Sequence, residues 1–399
     1  MRILAVDIGT GTQDILLFDS GQPVENALQL IMPSPTEIAA RRVRAATAAK
    51  RPVVLSGAIA GGGPCHWALE DHLRAGLSAL ATPEAATTFD DDLDRVRDMG
   101  VTIVSEDEAA RADGERVTLR DLDLGAIRAA FAAFGVDTRF DGLALGCLDH
   151  GAAPPGYSDR LFRFDHLRRV VGERNDLRAF ACLPDELPDY LTRARALLAA
   201  ARDEGPTVFL DTGPAAALGA LQDLNVAAHS ERLTINLGNM HALAFHLRGT
   251  TIVSLYEHHT GEVTADQLVD FTRRLIAGAL PHEDVFESKG HGVYYAVPSP
   301  ARPEPVEGRA SDSPARPEPV EGRAAAFPAR PEPVEGRAPF IAVTGPQRAK
   351  LRGSALDPYF AVPHGDMMVS GCFGLLWAFA EKHPAHAEEI LTALGIGER

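Results

Sequence analysis

The sequence predicts an α/β protein of two related lobes around a central cleft, with a disordered Pro-rich insertion in the second lobe. Three observations lead there. Short apolar runs alternate with helix-patterned stretches along the chain, which is the signature of α/β layers. An apolar run, a Gly-containing turn and a second apolar run occur twice, as ILAVDIGTGTQDILLFD at residues 3–19 and LTINLGNMHALAFHL at residues 233–247. The undecapeptide PARPEPVEGRA is repeated at Pro300–Ala310, Pro314–Ala324 and Pro328–Ala338. The expected division is residues 1–205 and 206–399, the second half interrupted at 299–338.

The 399 residues are enough for two domains, and 45% hydrophobic with 24% charged residues is ordinary for a packed chain. A formal net charge of -16 argues against nucleic acid as a partner, since that needs a basic surface. Cys65, Cys147, Cys182 and Cys372 are far apart, with no CxxC pair, and read as small core residues in a reducing compartment. The opening MRILAVD reads as a strand rather than a signal peptide, and no run approaches the ~18 apolar residues of a membrane span. The expectation is a cytoplasmic protein with no membrane contact.

The elements follow in order. Residues 3–19 form a hairpin through a Gly/Thr turn. PVVLSGAI at 52–59 is a strand running into AGGGP, and a helix starts near Pro64, with proline in its first turn. Val101–Ser105 is a short strand and Leu124–Phe134 a helix. Asp141–Leu148 is a strand that ends at Asp149-His150-Gly151. Leu187–Glu204 is a long Ala/Leu/Arg helix, and Thr207–Leu210 a strand entering DTGPAAALGALQD. The second hairpin spans 233–247. Residues 264–279 and 373–395 are helical, and Gly292–Val297 and Phe340–Thr344 are strands flanking the repeats. The repeats are too poor in apolar residues to offset the entropy of ordering, and so read as an inert insertion in a loop.

Four motifs carry chemistry. In DIGTGTQD, the turn Gly9, Thr10, Gly11, Thr12 presents backbone N–H groups to one point, and Asp7 ends the preceding strand where it could hold hydrated Mg²⁺. In INLGNMH, Gly238, Asn239 and His241 form the matching turn, with Asn236 where the first has an acid. In LDTGPAAALGALQD, Asp211 precedes a stretch of small residues suited to close helix packing. In GDMMVSGCFGLLWAF, Gly371 and Gly374 lie at the start of a late helix. Each alone also fits an ordinary turn or packing motif; their order is the more specific signal. Histidines at strand ends add a fifth theme: His150 in DHG, His241 in GNMH, His258 and His259 in EHHTG, His291 in GHG and His364 in PHGD. Imidazoles and carboxylates gathered from separate loops suit a transition metal or acid–base work. Arg160 or Arg163 could clamp a phosphate or a carboxylate.

The order of these motifs resembles the actin, sugar kinase and heat-shock chaperone superfamily, and LDTGPAAALGALQD resembles the chaperone segment EPTAAALAYG. The strings DHGAAPPGYSDRLFRF, DTGPAAALGAL, GNMHALAF, EHHTGEVT, VTGPQR and GDMMVSGCFGLL resemble, over nearly the whole chain outside the repeats, a domain-of-unknown-function family labelled pyruvate formate-lyase activating enzyme. The superfamily resemblance implies ribonuclease H-like lobes with ATP in the cleft. The turns at Gly9–Thr12 and Gly238–His241 would bracket the phosphates, with Gly371 and Gly374 at the adenosine. Asp7 and Asp211 would hold Mg²⁺, and Asp149 or His150 would activate the acceptor. The label implies an iron–sulfur radical enzyme, which needs three clustered cysteines that this chain lacks.

Three expectations result. The first is a Mg²⁺-dependent ATPase or phosphotransferase acting on a small molecule or protein. The second is a hydrolase or acyl/carbamoyl transferase using Zn²⁺ or Fe²⁺ in a His-rich cleft, with His258 and His259 as ligands. The third is a non-catalytic, nucleotide-switched binding protein, with Asn236 marking lost hydrolysis.

Overall fold

The computed structural model describes residues 1–296 and 338–397, and the PARPEPVEGRA repeats lie almost wholly outside the described residues. The chain opens with the meander β1 (Arg2–Ile8), β2 (Thr12–Asp19) and β3 (Leu28–Pro33). Then come β4 (Val53–Gly57), β5 (Ala79–Ala81), β6 (Val101–Ile103) and β7 (Glu115–Leu119), which form their own parallel sheet in the order β6-β5-β4-β7. This third sheet was not foreseen as a separate unit, because strands as short as Ala79–Ala81 carry little β signal of their own. The chain then returns with β8 (Gly142–Cys147), β9 (Ala181–Cys182) and β10 (Thr207–Asp211), completing a six-stranded sheet of order β3-β2-β1-β8-β10-β9.

The second six-stranded sheet repeats the plan. β11 (Glu231–Leu237), β12 (His241–Arg248) and β13 (Thr251–His259) form an antiparallel meander, extended by β14 (Gly292–Tyr295). β15 (Phe340–Thr344) pairs parallel with β11, and β16 (Tyr359–Phe360) parallel with β15, giving β14-β13-β12-β11-β15-β16. In both sheets the first strand of a meander is central and pairs in parallel with the strand that follows the crossover. Strand pairing in the first sheet runs past residue 205, since Thr207–Asp211 joins β8.

Two helices tie the sheets together. The helix Thr212–Ala220 follows β10 yet also packs on β11 and β15, while the helix Ser370–Lys382 follows the second sheet yet packs on β1, β8 and β10. They cross at two glycines: a methyl group on Gly219 would collide with the Ser370 carbonyl, and one on Gly374 with the Ala215 carbonyl. The core at this junction joins Ile3 and Ala5 of the first sheet to Leu243 and Phe245 of the second, with Phe373 and Phe379 fully buried. Each such ring contributes about 1.5–3 kcal/mol.

Two helices are shorter than expected. The Leu187–Glu204 stretch is helical only from Thr192 to Ala199, after Pro188. Residues 373–395 divide at Pro384 into Ser370–Lys382 and Ala387–Ala393. Among the described residues, no helix is long and apolar enough to cross a membrane.

Candidate functional site

The two Gly turns are built alike. The Gly9 N–H donates to the Thr12 carbonyl at 2.9 Å, and the Gly238 N–H donates to the His241 carbonyl at 2.9 Å. The pairs Ile8–Gln13 and Leu237–Ala242 close them identically. Their tips meet, since a methyl group on Gly11 would collide with the Asn239 side-chain amide. Beside this junction is a cleft of about 310 Å³, lined by Gly9, Thr10, Gly238, Asn239 and His241 from the turns and by Asp149 and His150 after β8. The loop Gly61–Gly63, which follows β4 of the small sheet, closes another side. Gly63 has φ +53, a left-handed conformation that glycine adopts without strain.

Other residues singled out in the sequence sit elsewhere. Asp7 is buried, accepts a hydrogen bond from Thr212 Oγ1 at 2.8 Å, and lies hard against the Cα of Gly371. Burial pushes its carboxyl up to about 6, against the Thr212 bond. Asp14, its partner across the hairpin, is pushed up to about 8 by burial and then by the Asp7 charge. Gly371 and Gly374 are used in seating their helix on Asp7 and Ala215, and neither lines the cleft. Thr12 begins β2 and does not line the cleft either. His258 points to the opposite face of β13. Its Nδ1 meets the His259 carbonyl at 3.0 Å and its Nε2 meets Ser288 Oγ at 3.1 Å, so neither ring nitrogen is free for a metal.

Asp149 and Asp211 have structural partners. Asp149 accepts from the Gly151 N–H at 2.8 Å and the Ala194 N–H at 2.9 Å. Asp211 receives both ends of the Arg163 guanidinium, at 2.6 and 3.0 Å, and accepts from the Gly213 N–H. Arg163 is fully buried and also reaches Glu257, with Nε 3.3 Å from Oε2. Burial alone would raise the Glu257 carboxyl; Arg163, then the neighbouring histidines, outweigh it and hold the group well below the usual carboxylate range.

Around Glu257 the histidines gather. His150, His241 and His291 come from three separate segments, yet one ring nitrogen from each lies within 4.8 Å of the others. Ring centroids are 5.1 Å apart for His150 and His241, 4.9 Å for His241 and His291, and 5.8 Å for His150 and His291. His259 stands beside them, 4.6 Å from His291 and 4.9 Å from His241. His291 is fixed by its backbone N–H donating to the Glu257 backbone carbonyl at 2.8 Å. Burial, before any charge, holds the His150 imidazole well below its ordinary value and lowers His291 to about 2 and His259 to about 4, so all three are neutral. A buried cluster of neutral imidazoles beside a carboxylate can ligate a cation or move protons.

Of this group, sequence reasoning reached His150, His241 and His259. His291 was noted only as part of GHG, and Glu257 was missed. A charged residue inside the apolar strand run SLYE was the available signal, because a central-strand acid has to be buried and paired.

A protein-family profile described as "Putative pyruvate format-lyase activating enzyme (DUF1786)" matches residues 60–317. No curated protein matches the chain. Among solved structures it is similar to a ROK hexokinase from Thermus thermophilus, at 12% identity and a TM-score of 0.22, covering 63% of this chain and 48% of that one. It is also similar to the PPX-GPPA enzyme of Aquifex aeolicus, at 9% identity and a TM-score of 0.20, covering 69% and 61%. The chain thus spans less than two thirds of either structure's length. The four cysteines lie in unconnected places, three of them buried, and among the described residues no cysteine joins a cluster with metal-ligand spacing. Cys182, the least buried, has its thiol pushed up to about 11 by burial. These residues do not fit the iron–sulfur cluster of a radical activase.

Proposed function

The chain belongs to the family whose profile matches residues 60–317, and for it we propose hydrolysis or acyl-type group transfer in the cleft beside the two Gly turns, with His150, His241 and His291 at the reacting centre. The observation that carries this is the convergence of three imidazoles at a cleft, two of them, His150 and His241, on its wall beside the two Gly turns. The turns would hold an anionic or carbonyl group of a small substrate through their N–H groups. The imidazoles would act on the attacking water or acceptor. The repeated sheet plan and the two exchanged helices support an actin-like, two-lobed reading, with residues 1–205 and 206–399 as the approximate halves. Lobe closure would then expel water from the cleft.

The test is turnover by the purified full chain on carbamoyl phosphate, acyl phosphates and activated esters. His150→Ala and His291→Ala are expected to lower kcat at least 100-fold. Undiminished turnover in both variants, or none by the parent on any of these substrates, would remove the proposal.

A second reading, MgATP in the same cleft, is favoured by the meeting of Gly11 and Asn239 at its edge. Neither acid expected at Mg²⁺ is free in it, since Asp7 is sealed against Gly371 and both oxygens of Asp211 are taken by Arg163. Its test is a rise in melting temperature with ATP that requires Mg²⁺.

A further inference from the structure

We infer that His150, His241 and His291 form a binding site for one divalent first-row transition metal, with an open face toward the cleft and Glu257 as the carboxylate that orients and charge-balances it. The inference deepens the reading above, using the same residues, but its test reads metal rather than turnover.

Two independent observations support it. The first is spacing. Three nitrogens on one tetrahedral ion at about 2.0–2.1 Å stand roughly 3.3 Å apart. Here the candidate nitrogens lie within 4.8 Å of one another, a gap that small rotations about the histidine side-chain bonds would close.

The second is hydrogen-bond accounting. Buried polar groups nearly always have partners. Yet His150 Nε2, His241 Nδ1 and both ring nitrogens of His291 are buried with no hydrogen-bond partner. His241 Nδ1 is 3.4 Å from Glu257 Oε1, close enough for attraction but outside good hydrogen-bond geometry. His241 Nδ1 faces Glu257, which leaves its Nε2 for an ion, and the orphaned His150 Nε2 and one orphaned nitrogen of His291 complete a set of one nitrogen per ring, pointing to one absent partner that accepts lone pairs.

Ligand type narrows the ion. All three donors are imidazoles, which suits Zn²⁺, Fe²⁺, Ni²⁺ or Cu²⁺ and disfavours Mg²⁺ and Ca²⁺, whose ligands are oxygens. His150 and His241 line the cleft, so the remaining coordination positions face it, as in a catalytic rather than a structural site. Glu257, held by Arg163 and next to His241 Nδ1, takes the place of the carboxylate that fixes a metal-bound imidazole's tautomer.

The experiment uses the full chain, stripped with chelator and titrated with Zn²⁺ and Co²⁺. Calorimetry is expected to show one equivalent bound, and Co²⁺ to give an intense visible band of a four- or five-coordinate ion. His150→Ala, His241→Ala and His291→Ala should each weaken binding 100-fold or more, and Glu257→Gln about 10- to 100-fold. His258→Ala, whose ring nitrogens are bonded elsewhere, should bind as the parent does. Should a histidine variant fail to fold, X-ray absorption of the Zn²⁺-loaded parent gives the answer by itself, with three imidazoles expected in the coordination shell. No stoichiometric binding, a shell without three imidazoles, or equal losses in His258→Ala and His291→Ala would overturn the assignment.

Discussion

Arg163 binds Glu257 across the two six-stranded sheets, with Nε 3.3 Å from Oε2 and both side chains fully buried. The same guanidinium holds Asp211 at 2.6 Å, so one cation serves an acid from each sheet. Removing it leaves two buried carboxylates without a countercharge. Arg163→Met is expected to cost about 3–5 kcal/mol. The double variant Arg163→Met/Glu257→Gln should recover part of that loss. Urea denaturation of both proteins measures it, and equal stability of Arg163→Met and the parent would refute the bridge.

The contact between the two exchanged helices leaves no room for a side chain. Gly374→Ala and Gly219→Ala would each drive a methyl group into backbone of the facing helix, which cannot swing away as a side chain could. Each should destabilise by about 1–3 kcal/mol or more. Gly172→Ala, late in the helix Asp159–Glu173, meets nothing within 4 Å and should be neutral or stabilising by up to about 1 kcal/mol. Thermal melts of the three variants should separate in that order.

The meeting of the two turns predicts a coupled pair. Gly11→Ala collides with the end of the Asn239 side chain, which can rotate, so the fold should survive with a loss under about 1.5 kcal/mol. Asn239→Ala should remove most of that loss when combined with it. A double-mutant cycle checks this, with a coupling of at least about 0.5 kcal/mol expected; additive effects would mean that the tips do not touch.

Asp14 predicts a pH dependence. Burial, with the Asp7 charge, raises its carboxyl from an ordinary 3.8 to about 8, so the fold favours the protonated form. Its contribution to stability is complete below about pH 4 and is lost as the pH rises through about 8. Asp7, raised to about 6, acts in the same direction over a narrower window. Asp14→Asn should flatten the decline, gaining on the parent in melting temperature between pH 5 and pH 8.5. Parallel curves for the two proteins over that range would contradict it.

Much of this architecture is local and could be read from the chain. Both Gly hairpins, the strand ending at Asp149-His150 and the strands bounding the repeats depend on short apolar runs and turn residues, whose preferences act within a few positions. The likeness of the two turns was visible for the same reason. Tertiary structure alone decided what the motifs do. Asp7, at a strand end suited to Mg²⁺, is sealed against Gly371, because the late helix returns to the first sheet. Asp211 is committed to Arg163, and His258 faces away from the cleft while its neighbour His259 faces the cluster. His150, His241 and His291 are separated by 91 and 50 positions, and nothing in local sequence preference links such distant residues. Only the pairing of β12, β13 and β14, and the packing of one sheet on the other, brings their rings together, because burial and contact are properties of the whole fold.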